Sequence, residues 1–164
     1  MAQTRGVRMV GVEAVMERIS KAMEGTKQKS YTALIEAGIL IRRSSIKENP
    51  TVPAKTFNLR HSWFTVTKKN IVGAGTSFKG EDKGLMSANH ASAIGEEKSK
   101  VSVIPFPTLA FGFSAYYATW VHEGRKKGVI NYSQDGSGPK FLEEAIKSNE
   151  KAILLLLQQN MRIK

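Results

Sequence analysis

Three histidines, His61, His90 and His122, are the side chains of this 164-residue chain best suited to move a proton or hold a metal near neutral pH. None stands at metal-ligand spacing from another histidine or a carboxylate, except that Glu123 directly follows His122. Adjacent residues point in different directions on a helix or strand, so the two make a weak dyad and no metal site is expected. The neighbouring carboxylates Glu81-Asp82, Glu96-Glu97 and Glu143-Glu144 read as solvated positions, with nothing to mark one of them as a general acid facing a base. Serines are plentiful, yet no Gly-x-Ser-x-Gly elbow presents one as a nucleophile. The chain has no cysteine, which removes thiolate metal sites, a cysteine nucleophile and a disulfide scaffold together. No catalytic residue, cofactor or metal is therefore expected. An enzyme is the minority reading, and a hydrolytic site would have to be built on His122 and Glu123.

Charge points elsewhere. There are 25 Lys+Arg against 14 Asp+Glu, a formal net charge of +11, which favours contact with polyanions or acidic protein surfaces. The excess is spread over both halves of the chain, and the sharpest clusters are Arg42-Arg43, Lys68-Lys69 and Arg125-Lys126-Lys127. Tyr116, Tyr117 and Trp120 precede the last of these closely, a composition that can stack bases beside phosphate-contacting lysines. No helix-turn-helix, zinc finger or RNA-recognition aromatic pair is visible, so phosphate contact without sequence readout is the nucleic-acid chemistry on offer. Gly73-Ala-Gly75 lacks the third glycine and the following helix of a dinucleotide fingerprint, and reads as a turn.

The elements that must position these groups form a single domain over residues 1–164, a length one hydrophobic core can serve. Residues 1–48 read as a helical arm. Val12, Val15, Ile19, Ala22 and Met23, then Leu34, Ile35, Ile39 and Leu40, fall at steps of three and four, with Gly25-Thr26 as a kink or break. Asn49-Pro50 stops the helix and opens a connector bearing Pro53. Alternation then predicts a strand over His61–Thr67, paired across Lys68-Lys69-Asn70 with Ile71–Gly75. Residues 76–100, rich in Gly, Ser, Lys and Glu, read as a long inserted loop of the functional or mobile kind. Two more strand-like runs, Val101–Phe106 and Thr108–Ser114, flank Pro107, and Tyr116–Gly124 reads as a short helical turn ending at its glycine. A C-terminal helix over 139–161 opens on Pro139 at its first position. The fold class is α+β: a long N-terminal helix, a small antiparallel sheet with its inserted loop, and a C-terminal helix packed with the others on one sheet face. The basic start is followed by charge and no apolar h-region, and the longest apolar runs are far too short to span a bilayer, so no membrane association is expected.

Three segments, in order, resemble a known family. Pro53-Ala-Lys-Thr-Phe-Asn-Leu-Arg-His-Ser62, Tyr116-Tyr-Ala-Thr-Trp-Val-His-Glu-Gly124 and Gly138-Pro-Lys-Phe-Leu-Glu-Glu-Ala145 are similar to the "T-G-x-L-R-x-S", "Y-A-x-x-V-E-x-G" and "P-x-F-L-x-x-A" segments of the tail-completion, or head–tail joining, proteins of long-tailed bacteriophages. The matching residues are Thr56, Leu59, Arg60, Ser62, Tyr117, Ala118, Val121, Glu123, Gly124, Pro139, Phe141, Leu142 and Ala145, while Phe57 stands where that family carries glycine. The resemblance implies a non-catalytic virion protein at the neck, made in the host bacterial cytoplasm. It implies a homo-oligomeric ring, hexameric, around the DNA channel between the head connector or stopper and the tail terminator or tail-tube proteins. Arg42, Arg43, Lys68, Lys69, Arg125, Lys126 and Lys127 are then the candidates to meet channel DNA non-specifically or acidic neighbours at subunit contacts. The alternative is a small basic nucleic-acid-binding protein without sequence preference.

Overall fold

The computed structural model describes residues 12–124, 132 and 134–161. Helix α1 (Val12–Lys47) runs unbroken through Gly25, over a length of about 54 Å at the helical rise. The expected kink is absent: a Cβ at Gly25 would meet nothing, so no packing forces the backbone to bend there. A one-turn helix α2 (Asn58–His61) leads into β1 (Trp63–Thr67), and β2 (Ile71–Ala74) returns beside it. Helix α3 spans Lys83–Ser102, followed by β3 (Leu109–Phe113), α4 (Ala118–Glu123), α5 (Phe141–Ser148) and α6 (Glu150–Met161).

The sheet is antiparallel throughout, in the order β2-β1-β3. Its alternation sorts the residues as the sequence requires. Phe64 and Val66 cluster with Ile94 and Val101 of α3, whereas Thr65 and Leu109 on the other face touch α1 at Gly38. Helices therefore cover both faces of the sheet and not one. On the α1 side the buried helix positions are small, Ala33, Ala37, Ser44 and Ser45, with Tyr31 the large exception. Small residues let the helix backbone lie close on the strands, and a Cβ added to Gly38 would stand 3.3 Å from Leu109. Helices α5 and α6 lie along α1, where Asn160 Nδ2 donates to Glu36 Oε2 at 3.2 Å. A second cluster closes the end of the sheet, built from Val52, Leu59, Phe78, Met86, Ala115, Ala118 and Phe141.

The α+β class and the β1–β2 hairpin agree with the sequence reading, and four expectations are corrected. The 76–100 loop is mostly helix α3, because Met86, His90 and Ile94 recur every four residues and are buried, Met86 in the second cluster and Ile94 against β1. Val101–Phe106 is no strand; it contains the last turn of α3, and the Ile104 N–H closes back on the Val101 carbonyl. The C-terminal helix is two helices, split at Asn149, and it begins at Phe141, not at Pro139. Lys140, in the left-handed region at φ 60°, makes the turn between that proline and the helix. Gly73-Ala-Gly75 belongs to strand β2 and its end, where bare backbone makes room for Trp63.

Candidate functional site

The three segments that carry the family resemblance meet in space. Leu59 on α2, Ala118 on α4 and Phe141 on α5 are buried in one cluster, with Tyr117, Val121 and Leu142 packed against it. Gly124 ends α4 at φ 63°, a conformation that excludes most side chains, and a Cβ there would press on Pro139 at 3.1 Å. Next to it the Lys140 backbone N–H donates to the His122 carbonyl at 2.7 Å, and Lys140 Nζ reaches Glu123 Oε2 at 2.8 Å. The Arg60 guanidinium donates to the Val52 carbonyl at 2.8 Å and to Gln134 Oε1 at 3.2 Å, tying the first segment to the residues that precede the third. Ser62, fully buried, donates to the Leu59 carbonyl at 2.8 Å, and Ala145 lies buried on the inner face of α5. Thr56 is exposed at the rim and hydrogen-bonds the Tyr117 hydroxyl, whose pKa is raised above its ordinary value by burial against that bond's opposing pull. These residues form a structural bracket between the connector, α4 and α5.

The bracket opens on a cleft of about 580 Å³ lined by Thr56, Phe57, Asn58, Lys79, Asp82 and Tyr117, among others. Asn58 fixes one wall, donating to the Lys79 carbonyl and accepting from the Lys79 N–H, both at 2.9 Å. Phe57, half exposed, sits at φ 62°. A left-handed backbone costs an L side chain about 1–2 kcal/mol, which is a physical reason for glycine to be preferred at such a position.

His122 and Glu123 are closer than their adjacency in sequence led one to expect. The flexible glutamate folds back so that Oε1 lies 3.1 Å from His122 Nδ1, and the imidazole packs edge-on against Phe141 at 4.9 Å. Lys140 first, then His122, hold the Glu123 carboxyl below the usual carboxylate range. His122 Nε2 is buried with no hydrogen-bond partner, so the dyad presents no open nitrogen to solvent. Glu143 and Glu144 are tied to Lys147, at 2.8 and 3.3 Å, and Glu97 to Lys100. Among the described residues no group of three or more histidines and carboxylates could hold a metal ion.

The basic candidates do not converge. Arg42 lies over the Trp63 ring at 3.7 Å, and Arg43 beside it is exposed. Lys69, at the hairpin tip, is 3.7 Å from Glu24 and 3.1 Å from Gln28 of α1, while Lys68 is exposed. Gln28 and Arg42 are separated by about 21 Å of helix at the α-helical rise, so the two clusters stand at different ends of the layer. Arg125, Lys126 and Lys127 lie outside the described residues.

What the sequence pattern concealed is the division of α1. Every residue from Val15 to Gly25 is exposed, including Val15 at 54%, Met16 at 58%, Ile19 at 48% and Met23 at 68%. Their spacing still makes one apolar stripe, and Pro105, Phe106 and Pro107 face it across a groove. Among the described residues α6 has no buried one either, and Leu154 and Leu155 are half exposed. Periodicity alone does not separate a stripe that packs within its own chain from one that does not. No family model, curated protein or solved structure matches the chain.

Proposed function

We propose that this chain is a structural subunit of a bacteriophage neck, a tail-completion protein that assembles with copies of itself into a ring between head connector and tail. The observation that supports the reading best is the uncovered apolar stripe Val15–Met16–Ile19–Met23 on a helix whose buried residues, among those described, all lie in its other half. Exposed apolar area on this scale is costly in water at about 25 cal/mol per Å², and subunit contact is the ordinary way to remove it. A ring needs heterologous contacts, in which a projecting part of one copy meets a different surface of the next. The arm and the apolar α6 ridge supply two such unlike surfaces. The second support is the bracket: the segments resembling the neck family hold the connector, α4 and α5 together.

The DNA channel, hexameric count and neighbours are part of the same proposal and come from the resemblance. The dispersed basic residues fit weak, sequence-independent phosphate contact better than a dedicated binding groove. Labelling intact particles with an antibody against this chain and imaging them in negative stain tests the reading. Label at the head–tail junction is the expected result; label found only off the particle defeats it.

A further inference from the structure

Helix α3 is held to the body in an unusual way. It packs on β1 and β3, and by Met86 on the cluster around Phe141, through a sparse stripe of Met86, His90, Ile94 and Val101, so one of its four buried positions is an imidazole. His90 is 7% exposed, with the rings of Phe78 and Phe64 edge-on at 5.4 and 6.5 Å. The serine hydroxyls of α3 bond within the helix itself, at Ser87, Ser92, Ser99 and Ser102. Among the described residues the His90–Ser114 contact, at 2.6 Å, is the side-chain hydrogen bond that joins α3 to the rest of the fold. The connectors at both ends of the helix carry no strand or helix of their own, and Gly80 turns at φ 81° before it.

We propose that α3 is an acid-released cover on the outer face of the sheet, with His90 as the latch that a proton opens. The Ser114 hydroxyl donates to the Ser62 carbonyl at 3.3 Å, so its oxygen accepts from His90 Nδ1–H in the 2.6 Å bond. That leaves Nε2 as the bare nitrogen of the neutral ring, buried near the Gly75 backbone but without a hydrogen bond of good geometry. A second proton, on Nε2, makes a cation among phenylalanine rings at a buried nitrogen that has no partner of good geometry. Nothing on the packed elements would balance it. From β1 the neighbour is Phe64, from the loop after β2 Gly75 and Phe78, and from the end of β3 Ser114, none of which titrates. On α3 itself the charges on the same side, Lys83 and Glu97, stand two turns away, about 10 Å at the helical rise. Burial accordingly lowers the imidazole pKa from its ordinary 6.5, with the Gly75 backbone pulling weakly the other way.

The sign follows. The released helix exposes His90 to water and takes up the proton at the ordinary value, while the docked helix resists it. Release is therefore disfavoured above 6.5 and favoured progressively below, by up to tenfold in the opening equilibrium per pH unit for one proton. Ile94 and Val101 would leave Phe64 and Val66 uncovered when it opens.

Amide hydrogen exchange on the full chain, corrected for the intrinsic pH dependence of exchange, reads this directly. Between pH 7.5 and 5, α3 amides should open more often, by up to about thirtyfold for one proton taken up at 6.5, while α1 amides from Tyr31 to Ser45 stay constant. In His90→Gln, and in His90→Met should the first variant fold poorly, the rise should vanish. An α3 that opens equally at both pH values overturns the latch. So does an α1 that opens in step with it, or a variant that keeps the wild-type rise.

Discussion

The guanidinium of Arg42 lies 3.7 Å above the centre of the Trp63 ring, and Gly73 of β2 leaves room for the far edge of the same indole. A basic residue singled out for nucleic-acid contact thus serves to seal α1 onto the sheet. Its Nε is buried without a hydrogen bond, which fits a group held by its flat face. Arg42→Ala should cost about 1 kcal/mol, through the lost cation–π contact and the uncovered ring. Gly73→Ala should cost about 1–3 kcal/mol, because its Cβ would stand 2.8 Å from the indole. The two share one ring, so their effects should not add. Urea denaturation of the single and double variants measures all three numbers.

Phe57 makes the opposite prediction. Its backbone is strained at φ 62° while its ring touches little beyond Arg60, at 5.8 Å, and His61, at 6.4 Å. Phe57→Gly relieves the left-handed strain and loses those weak contacts, so the variant should be as stable as the wild type or up to about 1 kcal/mol more so. A loss larger than about 1 kcal/mol in thermal or urea unfolding would mean the ring packs more tightly than its surroundings indicate.

These two residues also show what the sequence could and could not reveal. Strand β1 was legible because Trp63–Thr67 alternates, and its turn because Lys68-Lys69-Asn70 interrupts that alternation. The end of α4 was legible in Gly124, whose backbone suits few other residues. Helix α3 was not, because only Met86, His90, Ile94 and Val101 of it bury, and Gly84 and Gly95 dilute the pattern. The signal was nevertheless there in the four-residue step from Met86 to His90 to Ile94, once a histidine is admitted as a core residue. The partners of Arg42 and Lys69 are long-range contacts that no local pattern encodes. The His122–Glu123 contact was missed because adjacency fixes backbone directions, and a glutamate side chain is long enough to bend back.

The chain of charges across the bracket sets an acid limb. Lys140 and Lys147 hold Glu123 and Glu143 respectively below the ordinary carboxylate value of 4.5. Carboxyls depressed in the folded state stabilise it fully above 4.5 and lose that contribution as pH falls through their folded values. Lys140→Met removes the main cause at Glu123, so stability should become less steep in pH between about 4.5 and 2. The change at neutral pH should be small, since both groups are open to solvent. Thermal unfolding across that range, for wild type and variant, checks the slope.

The arm yields the sharpest expectation about the molecule as a building block. Ile19 and Met23 are exposed, so Ile19→Asp with Met23→Asp should leave the melting temperature of the isolated chain essentially unchanged, within about 0.5 kcal/mol of stability. The same pair would place two carboxylates in the contact that assembly is proposed to form, where an unpaired buried charge is not tolerated. Sedimentation velocity of the full chain over a wide concentration range, wild type beside the double variant, is the most direct measurement. Discrete higher-order species from the wild type, ring-shaped in negative stain, with the variant remaining monomeric and folded, are predicted. A wild-type chain that stays monomeric at every concentration, or a variant that assembles as the wild type does, would contradict the account.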